Sequence, residues 1–264
     1  MLRIRQYVRA QSLEEAYTLA QKRNNVVLGG MAWLNLQTRN IGTAIDLCDL
    51  GLDTIEETET EYRIGAMVSL RTLELHAGLN ALSQGAIAES MKGIVGVQLR
   101  NSATVGGSVY ARFGFSDVTT ILMALEAKVE LYKAGVLTME EFARFPRTQR
   151  DILVRVIVPK GERRVCYLSQ RNTKTDIPVL TCAVVRRAGE TFAVVGACPR
   201  CAAVYSDGGL LAEGITEDSA RAFGEKVAAE AVFGSNSRGG ADYRRKVAAV
   251  LVRRAALGLT EQEG

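Results

Sequence analysis

Two pairs of adjacent glycines, each beside an apolar segment, constrain most strongly what this chain can fold into. The first pair, Gly29 and Gly30, follows residues 26–28, an apolar segment that reads as a buried strand. The second pair lies within residues 101–109, Asn-Ser-Ala-Thr-Val-Gly-Gly-Ser-Val. Glycine adopts backbone angles that other residues avoid and carries no side chain, so both segments predict loops whose amide groups can approach a phosphate closely. Two such loops could hold one diphosphate from both sides, although either pair taken singly is more often a plain turn.

The remaining pattern predicts alternating helices and strands. Ser12, Ser69 and Ser116 are placed as helix caps. Helices are expected near residues 13–20, 70–75, 86–92, 117–125, 219–232 and 243–257, and strands near residues 26–28, 43–47, 105–110, 152–158, 179–185 and 191–195; the segment 62–67 begins a second unit. We expect three units: residues 1–53, 54–159 and 160–264.

Composition excludes several classes of protein. The chain has 264 residues, of which 47% are hydrophobic, so it can bury a sizeable core. Its net charge of +4 is too balanced for a nucleic-acid surface. No apolar run reaches the ~18 residues of a membrane span, and the first residues do not resemble a signal peptide. Together with five cysteines, this predicts a cytoplasmic protein that does not bind membranes.

Arginines cluster at two places in the sequence. Arg144, Arg147 and Arg150 surround Pro146, and Arg163 and Arg164 follow Pro159. We interpret these clusters as exposed polar loops, with a partner-docking patch as the alternative.

The sequence offers no convincing metal site or catalytic group. His76 is the only histidine, so we interpret it as a helix-end surface residue. Cys198 and Cys201 have the spacing of a redox or metal pair, but the other cysteines form no second pair. Nucleophile-elbow, Walker and Gly-x-Gly-x-x-Gly motifs are absent, so a bound dinucleotide would not be held in the Rossmann manner.

In its two glycine loops the chain resembles the FAD-binding subunit (medium chain) of the molybdenum hydroxylases, the xanthine dehydrogenase and carbon monoxide dehydrogenase family. That family usually has Ala-Gly-Gly-Thr-Asp in its first loop and Ala-Thr-Ile-Gly-Gly-Asn in its second, followed by an Asp nine residues later. Here Asp117 stands nine residues after Ser108. Further matches are the segments 12–16 (Ser-Leu-Glu-Glu-Ala), 152–153 (Ile-Leu), 196–199 (Gly-Ala-Cys-Pro) and 242–245 (Asp-Tyr-Arg-Arg).

The resemblance implies an α+β architecture, the PCMH-type (vanillyl-alcohol-oxidase-like) FAD-binding fold. Two α+β lobes would bind FAD, and a C-terminal domain would contain a small antiparallel sheet with helices. The implied cofactor-binding residues are Val27, Leu28, Gly29, Gly30, Met31 and Ala32 in the first loop, Thr104, Gly106, Gly107 and Ser108 in the second, Asp117 for the adenosine portion, and Leu153 near the flavin ring.

The sequence departs from the family pattern in three places. Met31 and Ala32 replace Thr-Asp, and Ser108 replaces Asn. Where the family often has a Lys near the flavin, this chain has Leu168 or Ser169.

The resemblance also implies a role in electron transfer. The chain would be one subunit of a heteromeric hydroxylase. A molybdenum-cofactor subunit would pass electrons to a [2Fe-2S] subunit, and this chain would take them from the [2Fe-2S] subunit and pass them through FAD to NAD or another acceptor. The alternatives are a non-catalytic scaffold with a degenerate flavin site and a stand-alone flavin oxidoreductase.

Overall fold

The computed structural model describes residues 1–260. Along this part of the chain the helices α1 to α10 span Leu13–Ala20, Leu70–Leu75, Ala77–Leu82, Ala86–Lys92, Val97–Ser102, Val105–Tyr110, Asp117–Ala124, Met139–Arg144, Glu217–Glu230 and Ala241–Gly258. The strands β1 to β12 span Arg3–Arg9, Val26–Val27, Asn40–Asp46, Ile55–Glu57, Glu61–Gly65, Lys128–Leu131, Gly135–Thr138, Leu153–Pro159, Arg164–Gln170, Leu180–Arg187, Glu190–Gly196 and Ala203–Ser206. No helix among the described residues is both long and apolar enough to cross a membrane.

Contacts between Cα atoms divide the chain into two compact units. The first unit is assembled from Met1–Leu73, Val97–Ala111 and Ala127–Pro159. The second contains Glu74–Gly96, Arg112–Glu126 and the chain from Lys160 onward.

The first unit begins with a small parallel sheet of order β1-β3-β2. As predicted, Ser12 caps α1, because its side chain accepts the N–H of Glu15. The helix buries Ala16 and Ala20 in a core that also contains Ile45 of β3. The end of β2, and the glycines that follow it, therefore lie beside β3, the central strand of this sheet.

The same unit contains a five-stranded sheet of order β4-β5-β8-β6-β7. Neighbouring strands are antiparallel throughout. The strand β8, which comes last in sequence, lies at the centre, and its Val156 and Val158 are fully buried.

The prediction of a strand over residues 105–110 is wrong. These residues form α6, a helix capped by Thr104, whose side chain accepts the N–H of Gly107. The N–H groups of Val105 and Gly106 donate to the carbonyls of Val68 and Ala66, at 2.9 and 2.8 Å. These contacts select a helix even though two glycines disfavour one.

The second unit is built on an antiparallel sheet of order β12-β11-β10-β9. Leu180, Cys182 and Val184 of β10 pack in one core with α9 and α10. On the opposite face Thr181 bonds Thr120 of α7 at 2.8 Å. The sheet and its two closing helices confirm the predicted C-terminal elements.

Arg244 holds the turn before α10 from inside the second unit. It is 1% exposed, and its guanidinium donates to the oxygens of Val179, Gly234, Asn236 and Gly239. This explains structurally why an arginine follows the Asp-Tyr pair at the start of the last helix.

Three of the clustered arginines are buried or half-buried and do not lie in exposed loops, contrary to our interpretation. Arg164 is half-buried and begins β9. Arg163 is buried and donates to the carbonyl of Leu125 at 2.7 Å. Arg150 is half-buried and donates to main-chain oxygens near the end of α1. Both side chains satisfy backbone groups of their own unit.

Candidate functional site

The first glycine loop, residues 29–32, turns sharply away from the parallel sheet. Leu28 still pairs with the sheet through its N–H, which donates to Ile45 O at 2.8 Å. Gly30 and Met31 then adopt the left-handed region, at φ +78° and +58°. A Cβ on Gly30 would lie 1.7 Å from Ser102 O, so only glycine fits there.

This first glycine loop presents a row of unused donors. Within residues 1–260, the main-chain N–H groups of Gly29, Gly30, Met31 and Ala32 donate to no protein acceptor. The four residues are half-buried. Successive N–H groups in a turn that passes through left-handed angles form a concave site suited to an anion.

The second glycine loop, residues 104–108, uses its donors within the protein. The N–H groups of Val105, Gly106 and Gly107 bond Val68 O, Ala66 O and Thr104 Oγ1, and the Ser108 hydroxyl donates to Thr104 O at 2.9 Å. Each hydroxyl keeps one further hydrogen-bonding position, since a hydroxyl both donates and accepts. The two loops are therefore not equivalent.

The structure brings the two glycine loops into backbone contact. A Cβ on Gly29 would lie 2.8 Å from Gly107 Cα and 3.2 Å from Thr104 Oγ1. A Cβ on Gly107 would lie 2.7 Å from Gly29 O. Because any side chain at either position would force the loops apart, the glycines are needed for the approach itself.

Of the other predicted site residues, Leu28, Asp117 and Leu153 are buried and Val27 is half-buried. Val27 and Leu28 lead into the first glycine loop, and Leu153 is a 5% exposed residue of β8 that pairs with Leu131 of β6. Asp117 belongs to the second unit, in the first turn of α7.

Asp117 is engaged by two neighbours within its unit. Tyr167 donates its hydroxyl to Asp117 Oδ1 at 2.5 Å, and Arg171 forms an ion pair with the same oxygen. Burial raises the pKa of the Asp117 carboxyl, although Arg171 and Tyr167 both act to lower it. All other predicted site residues are uncharged, so the glycine loops provide hydrogen-bond donors and no formal charge.

Neither the lone histidine nor the cysteine pair forms part of this arrangement. His76 caps α3, accepting the N–H of Leu79 through Nδ1 at 3.2 Å. Cys198 is buried, which raises its pKa to about 12. Among residues 1–260, no group of three or more His, Cys, Asp and Glu side chains is arranged to hold a metal ion.

Sequence reasoning missed the residues that fix these loops. Ala66 and Val68 act through their carbonyls, which no side-chain motif reveals. Arg150 and Asp151 lie far from both loops in sequence. The capping potential of Thr104 was the one local signal that α6 is a helix.

Comparison with known proteins agrees with the fold. A family described as "FAD binding domain in molybdopterin dehydrogenase" matches residues 2–161. The chain is 27% identical to YgfM of Escherichia coli K12 over 257 residues, 94% of each protein. It is 26% identical to xanthine dehydrogenase/oxidase of Gallus gallus over 153 residues, 50% of this chain and 11% of the chicken protein.

Solved structures show the same fold across nearly the whole chain. Quinoline 2-oxidoreductase from Pseudomonas putida 86 superposes with a TM-score of 0.86 at 19% identity, over 97% of this chain and 96% of that one. Carbon monoxide dehydrogenase from Hydrogenophaga pseudoflava superposes with a TM-score of 0.83 at 22% identity, over 97% and 98%. The fold is thus the PCMH-type FAD-binding fold that the sequence predicted. The family match covers more than half of this chain. The chain therefore belongs to the FAD-binding domains of the molybdopterin dehydrogenases, and its cofactor is FAD.

Proposed function

We propose that the first glycine loop holds the diphosphate of FAD through its main-chain N–H groups. The observation that carries this proposal is the set of four adjacent N–H groups, from Gly29 to Ala32, without a protein acceptor among the described residues. A diphosphate can accept several such bonds at once, and hydrogen bonds to a charged group are the stronger kind.

The second glycine loop supports the first and adds hydroxyl groups. Gly106 and Gly107 allow the two backbones to meet, so the donors of the first glycine loop keep their spacing. The Thr104 hydroxyl, which accepts the Gly107 N–H, can still donate to a phosphate oxygen, and the Ser108 hydroxyl, which donates to Thr104 O, can still accept from a ribitol hydroxyl. In the same proposal Asp117 contacts the adenosine portion and Leu153 lies near the flavin ring.

The departures at Met31 and Ala32 are consistent with this division of roles. The family's Thr-Asp would supply two side-chain hydrogen bonds, worth about 1 kcal/mol each. Main-chain N–H groups do not depend on those side chains, so the first glycine loop can still hydrogen-bond the diphosphate. The affinity for FAD should be lower than in proteins that have both residues.

The chemistry comes from the cofactor and the positioning from the chain. Bound FAD accepts electrons singly or in pairs and releases them to an acceptor. The chain binds and orients this group, and we assign no acid, base or nucleophile to it. A three-part division at residues 53 and 159 belongs to the same proposal, and the family match to residues 2–161 supports placing the FAD-binding lobes before Lys160.

We further propose that the chain is the flavin subunit of a heteromeric hydroxylase in the cytoplasm. A molybdenum-cofactor subunit would oxidise the substrate, a [2Fe-2S] subunit would carry the electrons, and this chain would pass them to NAD or another acceptor. The substrate class we propose is xanthine or a related N-heterocycle. The names of two similar proteins, a xanthine dehydrogenase and a quinoline oxidoreductase, support that class.

The first test is whether the purified chain binds FAD. We expect it to show, or to take up on addition of FAD, the absorbance of oxidised flavin near ~450 nm. A colourless chain that takes up no added FAD would contradict the proposal and favour the non-catalytic scaffold.

The second test is copurification. An affinity-tagged chain isolated from its native host should bring down one subunit with an iron-sulfur cluster and one with a molybdenum cofactor. A yellow chain that is isolated alone and reduces an acceptor unaided would instead indicate a stand-alone flavin oxidoreductase.

A further inference from the structure

We propose that Arg150 and Asp151 are positioning residues for FAD binding, because this adjacent pair, just before β8, braces both glycine loops. The inference rests on the proposed function of those loops. Arg150 holds the segment that leads into the first glycine loop, and Asp151 holds the helix that contains the second. We call the two residues the brace.

Arg150 is bonded to the backbone at the end of α1. Its guanidinium donates to the carbonyl oxygens of Ala20, Lys22, Arg23 and Asn25, at 2.9, 2.7, 2.8 and 3.4 Å. The last carbonyls of a helix carry partial negative charge, which favours a cation at this point. One side chain therefore fixes the whole turn between α1 and β2.

That turn leads directly to the first glycine loop. Only β2 and Leu28 separate Asn25 from Gly29. The buried Asn25 side chain also accepts the N–H of Thr43 at 2.9 Å and donates to Leu19 O at 2.8 Å. Because β2 is only two residues long, the sheet alone gives the loop little support, and the bonds of Arg150 and of the Asn25 side chain add to it.

Asp151 holds the second glycine loop from the other end of its helix. The Asp151 N–H donates to the hydroxyl oxygen of Tyr110 at 3.1 Å, and Tyr110 is the last residue of α6. The buried Asp151 carboxylate accepts the N–H groups of Lys133, Ala134 and Ile152. Helix α6, whose first turn contains Gly106 and Gly107, is thus bonded to Asp151, and the Asp151 side chain is itself held by three main-chain N–H groups.

The brace would affect the affinity for FAD by changing the fraction of molecules in which the first glycine loop is aligned for binding. If the first glycine loop has its four donors aligned only part of the time, the apparent Kd rises as the inverse of that fraction. Removing the Arg150 bonds should loosen the loop without removing any group that touches the cofactor.

The test compares Arg150→Met with Arg155→Met in the full chain. Both changes remove a guanidinium from the same stretch of the first unit, but Arg155 pairs with Glu56 and Glu130 and contacts neither loop in these ion pairs. We expect the Kd for FAD to rise about tenfold in Arg150→Met, as for a loop aligned a tenth of the time, and to change less than about twofold in the control. Arg150→Lys, which keeps the charge but not the planar fork, should fall between them.

Two further measurements separate positioning from general loss of stability. Trp33 is the only tryptophan, lies just after the first glycine loop and is 42% exposed, so its quenching by acrylamide reports the mobility of the loop. We expect faster quenching in Arg150→Met, and faster hydrogen exchange at the Leu28 amide. Tyr110→Phe, which removes the acceptor of the Asp151 N–H, should raise the Kd for FAD in the same direction.

The outcomes are distinct. If Arg150→Met lowers the melting temperature but leaves the Kd, the quenching and the exchange as in the control, Arg150 is only structural and the inference fails. If the wild-type chain binds no FAD, the proposed function fails. In that case the quenching and exchange measurements still decide whether the brace controls the loop.

Discussion

The contact between Gly29 and Gly107 gives the sharpest prediction, for the variant Gly29→Ala. The added methyl group would lie 2.8 Å from Gly107 Cα and 3.3 Å from Gly107 N. Both atoms belong to the backbone, so neither can rotate away as a side chain would. The two glycine loops must move apart to accept the alanine.

The size of the effect follows from these distances. Carbon atoms pack at about 3.5 Å or more, whereas the added Cβ would lie 2.8 Å from Gly107 Cα. The loops must therefore move apart by about 0.7 Å. A hydrogen bond of about 2.9 Å that lengthens by this amount is no longer a bond. Losing one bond to the charged diphosphate costs about 1.5–3 kcal/mol, which is a roughly ten- to hundredfold rise in Kd. The strain should also lower the free energy of unfolding by about 1–3 kcal/mol.

The affinity can be measured by titrating FAD into the protein and following the fluorescence of Trp33. Gly234→Ala is the matched control, because its added Cβ would find its nearest neighbour at 3.5 Å, an ordinary contact. The control should bind FAD like the wild type. Denaturant unfolding of both variants shows whether each remains folded at the temperature of the titration.

The reasoning would be refuted by a folded Gly29→Ala protein with wild-type affinity. Such a result would mean that the approach of the two loops is not required for binding. The role proposed for Gly107, which is to let the two backbones meet so that the donors keep their spacing, would then be wrong.

The other predictions concern the second loop, the buried arginine and a buried thiol. Gly107→Leu should abolish retention of FAD in gel filtration, because its side chain would drive the loops apart, whereas Thr104→Val should only weaken binding and destabilise the protein by about 1 kcal/mol through loss of the α6 cap. Arg244→Lys should lower the free energy of unfolding in urea by about 3 kcal/mol or more, since a lysine cannot satisfy the same four oxygens; a loss below about 1 kcal/mol would contradict this. Because burial raises the pKa of Cys198 from 9.0 to about 12, its contribution to stability should be complete below pH 9 and disappear as the pH rises toward 12, as seen by thermal unfolding at stepped pH. Alkylation of the native protein near pH 8 should accordingly label the exposed Cys48 and spare Cys198; labelling of both at equal rates would argue against its burial.

Capped helices and alternating strands were predictable because their signals are local. Ser12, Ser69 and Ser116 each cap the helix expected after them, and apolar segments located three strands of the antiparallel sheets, β8, β10 and β11. These features depend on a side chain and its neighbours within about one helical turn.

The features that could not be predicted depend on distant backbone groups. Helix α6 looked like a strand because Val105 and Val109 suit a sheet and two glycines disfavour a helix. The Val68 and Ala66 carbonyls decide its structure, and they lie more than thirty residues away. Likewise, nothing near Arg150 indicates that its partners are carbonyls at residues 20–25.

The central position of β8 bears on how the protein is made. On the ribosome β5 and β6 emerge first, yet they do not pair with each other, because β8 lies between them. Until Pro159 has left the exit tunnel, each nascent strand has an open edge, and such edges are prone to pair with other chains. A chain that ends before this residue lacks the central strand of the sheet, so the sheet of the first unit can close only after β8 has been made.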